Sequence, residues 1–370
     1  MRVYLLVMLI AAAVTYLTTP LARWLALRTG GITAVRDRDV HLVPIPRMGG
    51  VAMLLGMAVA MLVASRMPFL EGVFVAPQKG WWILAGAAVV CLLGVADDIW
   101  DLDWFTKLMG QVLAAGLMAW QGQVQLYSLP IAGQTIPSAT MSLAATVVSV
   151  VIAMNAVNFV DGLDGLAAGV IAIGGTGFFV YTYLLSMDAD ASDYSSLASL
   201  VVAVLVGTCL GFLPHNFHPA RIFMGDSGSM LIGLTIAAAA IVVTGEANPL
   251  TTREKFPAFL PILLPIFVLI LPLLDMGMAV IRRVGSGHSP FHPDRLHLHH
   301  RLLQLGHTHR RAVLIMYLWT ALFAFGGAAL LRWSTEQVLW TVGVGALAVL
   351  ALTLGPLRGR RARTHEAVGA

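Results

Sequence analysis

The sequence predicts an all-α, polytopic membrane protein, and three observations support this. Of the 370 residues, 58% are hydrophobic and 11% are charged, and the mean hydropathy is +0.82. A soluble protein of this length carries about 25% charged residues. Apolar runs long enough to cross a bilayer recur along the whole chain. No Gly/Ser linker or repeat of fixed period separates them, so we expect a single membrane domain over 1–370.

About eleven apolar runs are predicted to be transmembrane helices. The first run follows Arg2 directly and is longer than the apolar part of a signal peptide, so it is counted as a span. The ninth contains Pro257, Pro261, Pro265 and Pro272, and we expect it to bend because a proline inside a helix removes a backbone hydrogen bond. The runs are 3–25, 48–65, 81–96, 107–120, 140–158, 165–185, 197–214, 228–245, 257–281, 312–332 and 337–356.

The Lys and Arg residues predict the orientation of these spans. With the N-terminus outside, sixteen of them fall in cytoplasmic segments and six in outer segments. Cytoplasmic loops carry the excess of basic residues, so we expect an outside N-terminus and a cytoplasmic C-terminus. Residues 357–370 are then a basic cytoplasmic tail. The same topology places the motifs discussed next on the cytoplasmic face, where we expect the active site.

The stretch 155–165 reads Asn-Ala-Val-Asn-Phe-Val-Asp-Gly-Leu-Asp-Gly and separates two apolar runs. Asp161 and Asp164 are three residues apart, so on a helical turn they would share one face. Carboxylates and carboxamides between membrane-length apolar runs are costly to place. A solvated acidic loop is the alternative, and two further aspartate-bearing breaks in the chain make it less favoured. Asn155, Asn158 and the two aspartates are therefore candidate site residues.

A second acidic stretch ends the third run, with Gly-Val-Ala-Asp-Asp-Ile-Trp-Asp-Leu-Asp at 94–103. The adjacent carboxylates of Asp97 and Asp98 repel each other unless a cation or a proton lies between them. Such oxygen-rich sites suit Mg²⁺, which binds one or two carboxylates together with substrate phosphates. A helix end with acids facing the cytosol is the alternative. Lys107 follows closely, and it either contacts a phosphate, balances the aspartates or extends to the membrane interface.

The stretch 215–229 precedes the eighth run and ends in Gly-Asp-Ser-Gly-Ser. A small-residue turn at a helix N-terminus favours anions, because the first N–H groups of a helix are free and the dipole is positive there. Asp226 is then either an N-cap or a metal ligand. Phe223 is either an aromatic residue of the membrane interface or a surface for a flat base.

The segment 288–301 contains five histidines, together with Arg295 and Arg301. Zinc is one ligand to consider, but the segment has no thiolates and no obvious closed set of ligands. Cationic and hydrogen-bonding side chains equally suit a diphosphate. A solvated positive loop is the third interpretation. Together, the four stretches predict a cytosolic surface for Mg²⁺ and phosphate on a scaffold that also admits a lipid reactant.

In this order, the motifs resemble those of the polyprenyl-phosphate N-acetylhexosamine-1-phosphate transferases. The chain is most similar to the bacterial undecaprenyl- or decaprenyl-phosphate N-acetylglucosamine-1-phosphate transferases, and the resemblance covers nearly its whole length. It implies transfer of a sugar 1-phosphate from a UDP-sugar to a membrane polyprenyl phosphate with release of UMP, the first lipid-linked step of cell-envelope polysaccharide synthesis. It also implies Mg²⁺ or Mn²⁺ as cofactor, an inner (plasma) membrane location, compatibility with a homodimer and no nucleic-acid partner. The motifs that carry it are 41–50, 97–98, 107–111, 155–165, 216–229 and 289–300.

The resemblance also implies roles for individual residues. The catalytic set is Asp97, Asp98, Lys107, Asp161, Asp164, His297, His299 and His300. The substrate-binding set is His41, Asn155, Asn158, Asn216, Phe223, Arg295 and Arg301. The metal ligands are Asp226 and Asp98. For the chemistry, we expect Asp97 to act as a base while the lipid phosphate attacks directly, with a covalent intermediate on an aspartate as the alternative.

The residues His297, His299 and His300, which we call the histidine motif, predict which sugar the donor carries. Relatives that take UDP-MurNAc-pentapeptide have consecutive histidines here, whereas Leu298 interrupts this run and Arg301 follows it, which favours UDP-GlcNAc. UDP-MurNAc-pentapeptide and UDP-GalNAc remain the alternative donors. The basic stretch that relatives often show before the histidine at position 41 is replaced by Val-Arg-Asp-Arg-Asp-Val at 35–40.

Two other classes of membrane protein are alternatives. A transporter would hold its ionisable residues and broken helices near the bilayer midplane, whereas these acids lie at the predicted cytoplasmic ends. An intramembrane aspartyl protease would carry a Gly-x-Gly-Asp motif, but Phe223 stands at the first glycine position before Gly225-Asp226.

Overall fold

The computed structural model describes residues 1–32, 44–75, 78–126, 129–130, 134–135, 138–189, 195–246, 260–287 and 297–368. Over these residues the chain is helical, apart from a short 3₁₀ turn and one small hairpin. The helices are α1 (Arg2–Thr29), α2 (Gly49–Ala64), α3 (Glu71–Val75), α4 (Lys79–Trp100), α5 (Trp104–Gln121), α6 (Ala139–Val160), α7 (Leu166–Ala189), α8 (Leu197–Asn216), α9 (Gly225–Glu246), α10 (Leu260–Val268), α11 (Ile270–Gly285), α12 (Leu298–Gln304), α13 (His309–Ala329) and α14 (Thr335–Val368). The 3₁₀ turn is Pro68–Leu70, and the antiparallel strands are β1 (Leu129–Pro130) and β2 (Gln134–Thr135).

The prediction of a polytopic all-α membrane protein is confirmed. Among the described residues, eight helices are long and apolar enough to cross a membrane: α1, α4, α6, α7, α8, α9, α13 and α14. The number is nine if α2 and the segment Pro68–Phe74 form one span with a bend of 96° between them. Helix α5 lies at the predicted fourth run, but it carries Lys107 and Gln111 and is less apolar. The hairpin of β1 and β2 was not predicted, since its strands of two residues are too short to leave a pattern.

The ninth predicted run is divided into two helices, α10 and α11, at Leu269. Pro272 has no N–H to donate to the carbonyl of Val268, so the helical ladder lacks a bond at this point. The expected bend is therefore a break between the two helices. The backbone of residues 357–368, which belong to the predicted basic tail, continues α14.

Helix α9 lies at the centre of the bundle and packs against α2, α4, α6 and α8. Its sequence begins with Gly-Asp-Ser-Gly-Ser and contains a run of four alanines, and such small residues allow helix backbones to approach closely. The approach is tightest at its N-terminus. A Cβ atom added to Gly50 of α2 would lie 2.3 Å from Ser227 C, and one added to Gly94 of α4 would lie 2.3 Å from Ser227 Cα.

Backbone hydrogen bonds attach the segment before α2 to the segment before α9. Phe223 N donates to Pro46 O at 2.8 Å, and Gly49 N donates to Phe223 O at 3.0 Å. Gly50 N donates to Met224 O at 3.1 Å. The N-terminal ends of α2 and α9 therefore lie side by side on one face of the bundle.

The same face receives the ends of the neighbouring helices. Helices α4, α6 and α8 end there, and α5, α7 and α9 begin there, because consecutive helices run antiparallel through short connections. The bundle thus collects the residues around 97–107, 155–165 and 216–229 at one surface.

We expect Gly94→Ala to lower the unfolding temperature of the detergent-purified protein, because the added methyl group would overlap the backbone of Ser227. Overpacking of this kind costs about 1–3 kcal/mol. Gly116→Ala in α5 is the matched control, since nothing lies within 4 Å of the added Cβ and alanine favours a helix. Equal unfolding temperatures for the two variants would contradict the tight packing of α4 on α9.

Candidate active site

Asp98 caps the N-terminus of α9. Its Oδ1 accepts a hydrogen bond from Asp226 N at 3.0 Å, and its Oδ2 accepts from Ser227 N at 3.3 Å and from Ser227 Oγ at 2.9 Å. Gly225 has φ +68°, and any side chain there would overlap the Asp98 carboxylate. The buried carboxylate satisfies N–H groups that an α-helix leaves free at its start. Asp98 therefore fixes the position of the helix turn that carries Asp226.

Lys107 joins two carboxylates from different helices. Its Nζ lies 2.7 Å from Asp97 Oδ2 and 3.2 Å from Asp226 Oδ2. The Asp97 side chain is 4% exposed, whereas those of Asp226 and Lys107 are 22% and 27% exposed. A ligand at this face of the bundle can therefore reach Lys107 and Asp226, and Asp97 lies behind them. Leu102 N also donates to Asp97 Oδ1 at 2.8 Å, which fixes the orientation of this carboxylate.

Asn158 completes this cluster from α6. Its Nδ2 donates to Asp226 Oδ1 at 2.9 Å and to Ser229 Oγ at 2.9 Å. Four side chains from four helices, Asp97, Lys107, Asn158 and Asp226, thus meet at one point, and we call them the carboxylate cluster. It unites three of the stretches that the sequence analysis treated separately.

A second polar layer lies one helical turn deeper. Asn155 Nδ2 donates to Gln111 Oε1 at 2.7 Å, and Gln111 Nε2 donates to Met230 Sδ at 3.1 Å. Gln111 and Met230 follow Lys107 and Asp226 by about one turn, and Asn155 precedes Asn158 by about one turn, because α6 runs in the opposite direction to α5 and α9. Asn155, predicted as a substrate contact, therefore bonds to another carboxamide, and Gln111 was not predicted as a site residue.

The two aspartates of 155–165 lie on a turn between α6 and α7 and not on a shared helical face, because the helix ends at Val160. Burial and the nearby charge of Asp226 raise the pKa of Asp161 to about 7. Asp164 is buried among other partners: its Oδ2 lies 2.7 Å from His218 Nδ1 and accepts from Ala220 N at 3.1 Å. The two aspartates thus have different surroundings.

Asn216 holds the turn and the α8–α9 loop together. Its Oδ1 accepts from Gly165 N at 3.1 Å, and its Nδ2 donates to Ile222 O at 3.0 Å. The side chain is buried, so the structure gives it a positioning role for the loop that ends in Phe223. Phe223 itself is half-buried, and its backbone is bonded to the segment before α2.

The histidine motif is held in place by Asp275, which the sequence analysis missed. Asp275 Oδ1 accepts from Leu298 N at 2.8 Å, and its Oδ2 lies 3.2 Å from His297 Nδ1. Asp275 is 1% exposed and lies inside α11. Its signal in the sequence is a single acid within an apolar run, which is costly unless it is paired. Phe159 packs edge-on against the ring of His297, with centroids 5.5 Å apart.

His299 differs from its neighbours in the motif. Its ring is buried against Gly162, where an added Cβ would lie 2.5 Å from His299 Nε2. Burial lowers the pKa of His299 to about 3, and the neighbouring His300 acts in the same direction. His299 is therefore neutral at physiological pH in this structure, and His300 lies beside it with a ring-centroid distance of 4.3 Å.

The remaining predicted residues are placed as follows. Arg301 is exposed on α12. His41 and Arg295 lie outside the described residues. The side chains that the site contains and the sequence analysis did not assign are Gln111, His218, Ser227, Asp275 and His309.

Comparisons with known proteins give the family. The chain matches the model of glycosyl transferase family 4 over residues 81–244, which include the carboxylate cluster. It is 42% identical over 369 residues to a decaprenyl-phosphate N-acetylglucosaminephosphotransferase of Mycolicibacterium smegmatis, with 97% of this chain and 90% of the relative covered. The chain belongs to the polyprenyl-phosphate N-acetylhexosamine-1-phosphate transferase family. The resemblance inferred from the motifs is thereby confirmed.

Two other relatives show the breadth of this transferase family. A probable undecaprenyl-phosphate N-acetylglucosaminyl 1-phosphate transferase of Bacillus subtilis is 31% identical over 313 residues, covering 84% of this chain and 80% of the relative. A phospho-N-acetylmuramoyl-pentapeptide-transferase of Desulforudis audaxviator is 32% identical over 295 residues, covering 74% and 80%. At this distance, identity alone does not separate the two donor classes.

Asp275 provides a test of how the transferase holds its histidine motif. We expect Asp275→Leu to free the start of α12, raising hydrogen–deuterium exchange over residues 297–304 and lowering the unfolding temperature. Loss of a buried acceptor leaves the Leu298 N–H unsatisfied, at a cost of about 1–3 kcal/mol. Asp275→Asn keeps an acceptor oxygen and should show a smaller increase in exchange. If Asp275→Leu exchanged like the wild type, α12 would not depend on this cap.

Proposed function

We propose that this transferase moves N-acetylglucosamine 1-phosphate from UDP-GlcNAc to a membrane polyprenyl phosphate. UMP is released, and polyprenyl-diphosphate-GlcNAc is formed as the first lipid-linked intermediate of a cell-envelope polysaccharide. The observation that carries the proposal is the carboxylate cluster, with the two acids and the lysine meeting at the N-terminus of α9. The 42% identity to relatives named decaprenyl-phosphate N-acetylglucosaminephosphotransferase supports the choice of donor and acceptor.

The bond changes follow from the substrates. An oxygen of the lipid phosphate attacks the β-phosphorus of the UDP-sugar, and the bond from that phosphorus to the bridging oxygen breaks. The bridging oxygen leaves with UMP, so the sugar keeps its own phosphate. Both reactants are anionic, and the charge that builds on the transferring phosphoryl group and on the departing UMP must be balanced. The protein's task is therefore to position two phosphates and to stabilise negative charge.

Mg²⁺ or Mn²⁺ fits the carboxylate cluster. Asp226 offers carboxylate oxygens at an accessible position, and the pairing of the Lys107 ammonium with Asp226 and Asp97 supports the binding of positive charge at this point. Hard oxygen ligands of this type suit Mg²⁺, which retains waters and binds substrate phosphates. When bound, the ion neutralises phosphate charge during transfer. Asp226 would be its principal ligand, and Asp98 would act by holding the α9 turn, since both its oxygens accept hydrogen bonds from that turn.

Lys107 supplies positive charge that does not depend on the ion. Once the donor diphosphate is present, its Nζ can move from the carboxylates to a phosphate oxygen, because 27% of the side chain is already exposed. The backbone N–H groups of Asp226 and Ser227 at the start of α9 donate to Asp98, so these two groups are not available to a phosphate. At this end the helix would attract a phosphate through its dipole.

Asp97 is the proposed base. Its carboxylate is oriented by Leu102 N and lies 2.7 Å from Lys107 Nζ, and it would receive a proton from a singly protonated lipid phosphate once Lys107 has turned toward a phosphate oxygen. At pH 7 a phosphate monoester is mostly dianionic, with a second pKa of about 6, so this proton transfer is needed for a minor fraction of acceptor molecules. A covalent intermediate on an aspartate is the alternative, and it requires Asp97 or Asp161 to attack in place of the lipid.

The donor base is proposed to lie against Phe223. This ring is carried by the loop between α8 and α9, three residues before Asp226, and Asn216 fixes the same loop through its bond to Ile222 O. A uracil ring needs a flat apolar surface and hydrogen-bonding partners at its edge. We assign the surface to Phe223 and give Asn216 the supporting position. The histidine motif is held by Asp275. It contacts the turn 161–165, because the ring of His299 packs against Gly162.

The finer topology is also a proposal. We infer eleven membrane spans: the eight long apolar helices, together with α2, α5 and the α10–α11 pair. The N-terminus would lie outside and the C-terminus in the cytosol, in the plasma membrane. Described basic residues on the face of the site support this: Arg23 donates to Arg221 O, and Arg310 donates to His218 O. The opposite face carries the N-terminal amine, which is bonded to Tyr183, and the pair of Arg332 with Asp188.

A donor panel tests the proposed function. Purified transferase with polyprenyl phosphate and Mg²⁺ should convert UDP-GlcNAc with a kcat/KM about tenfold or more above that for UDP-GalNAc or UDP-MurNAc-pentapeptide. The products are measured as UMP and lipid-linked sugar phosphate. Preference for UDP-MurNAc-pentapeptide would overturn the choice of donor, and transport of label without UMP release would overturn the enzyme assignment.

The role of Phe223 is tested by two Michaelis constants. Stacking of a base on an aromatic ring contributes about 1–3 kcal/mol, so Phe223→Ala should raise KM for UDP-GlcNAc about tenfold and leave KM for the lipid phosphate nearly unchanged. Phe217→Ala, which removes another aromatic ring of the same loop, is the control. A lower unfolding temperature with an unchanged KM for UDP-GlcNAc would show that Phe223 only anchors the loop.

A further inference from the structure

A second cluster of ligand atoms lies apart from the carboxylate cluster, on the other side of the 161–165 turn. Asp164, His218 and His309 each offer one ligand atom, and these three atoms lie within 4.8 Å of one another. The residues come from three separate elements: the α6–α7 turn, the α8–α9 loop and the first residue of α13. We propose that they form a transition-metal site of the zinc type, which we call the His₂Asp site.

The geometry already directs one nitrogen of each ring at the same residue. His218 Nδ1 lies 2.7 Å from Asp164 Oδ2, and Asp164 N donates to His309 Nε2 at 3.2 Å. The two rings are stacked, with centroids 4.5 Å apart and an angle of 21° between their planes. His309 Nε2 accepts this hydrogen bond with its lone pair, and a metal ion would bind the same lone pair in place of the Asp164 N–H.

The ligand set itself suits a divalent ion. Asp164 Oδ2 belongs to a buried side chain and lies 2.7 Å from His218 Nδ1, so an ion bound there would be shielded from water. One divalent ion would bind one carboxylate oxygen and two imidazole nitrogens. Two histidines, one carboxylate and an open position are a common ligand set for Zn²⁺.

The chemistry of the ligands separates this site from the carboxylate cluster. Imidazole nitrogens suit Zn²⁺ and related transition metals, whereas Mg²⁺ selects oxygen ligands. The two sites would therefore take different ions from the same solution. A metal at the His₂Asp site would fasten the turn carrying Asp161 to the loop carrying Phe223 and to α13, and it would act on the reaction by fixing these elements.

The test is the zinc content of full-length transferase that is purified without a histidine tag and dialysed against a zinc buffer. We expect one zinc per chain in the wild type and in His215→Ala, whose ring contacts Tyr16 and not Asp164. His218→Ala and His309→Ala should bind zinc about tenfold or more weakly. Millimolar Mg²⁺ should not displace the zinc. Zinc should also raise the unfolding temperature of the wild type but not that of the two variants.

Two further measurements keep the test decisive. His300→Ala tests whether the histidine motif binds the zinc instead. If this variant lost zinc while His218→Ala retained it, the metal would lie at the histidine motif and the proposal would be overturned. A wild type that retains no zinc would overturn it as well. If His218→Ala does not fold, Co²⁺ bound to the wild type should give the intense visible bands of a four-coordinate site, and spectra typical of six oxygen ligands would contradict it.

Discussion

The hydrogen bonds from the first turn of α9 to the buried carboxylate of Asp98 are the interaction on which the site depends. A helix that starts inside a protein must satisfy its first N–H groups, and a carboxylate does so while also matching the helix dipole. Glycines at 50, 94 and 225 allow the backbones and this carboxylate to come close enough. Once this turn is fixed, Asp226 has one position available, and Lys107 and Asn158 reach it from α5 and α6.

The described part of the site brings several carboxylates together. Asp97 and Asp226 contact the Lys107 ammonium, Asp98 caps α9, and burial with the charge of Asp226 raises the pKa of Asp161 to about 7. Neighbouring carboxylates repel each other, and we propose that a divalent ion bound together with substrate phosphates relieves this repulsion. The histidine motif contributes differently, since the buried ring of His299 is neutral and acts through packing on Gly162. The site thus combines charged side chains at its centre with neutral side chains, such as that of His299, that pack against the surrounding turns.

Features that depend on neighbours in the sequence were predictable. The apolar runs became helices, the prolines of the ninth run coincide with a break, and Gly225-Asp226 begins a helix. Contacts between distant segments were not predictable from one sequence, because any acid can pair with many partners. Asp98 contacts Ser227 across 129 positions of the sequence, and Asp275 contacts Leu298 across 23 positions. The spacing of Asp161 and Asp164 suggested a shared face, but the chain leaves the helix at Val160 and turns the second aspartate toward His218.

Binding of Mn²⁺, followed by the loss of its free-ion electron paramagnetic resonance signal, tests the central claim most directly. The account predicts one activating Mn²⁺ per chain in the presence of UDP-GlcNAc. It predicts about tenfold or more weaker binding in Asp226→Asn, with turnover lower by orders of magnitude and the unfolding temperature preserved. Asp101→Asn, which changes an exposed acid of the same stretch, should bind and turn over as the wild type does. Wild-type Mn²⁺ affinity and turnover in Asp226→Asn would contradict the account.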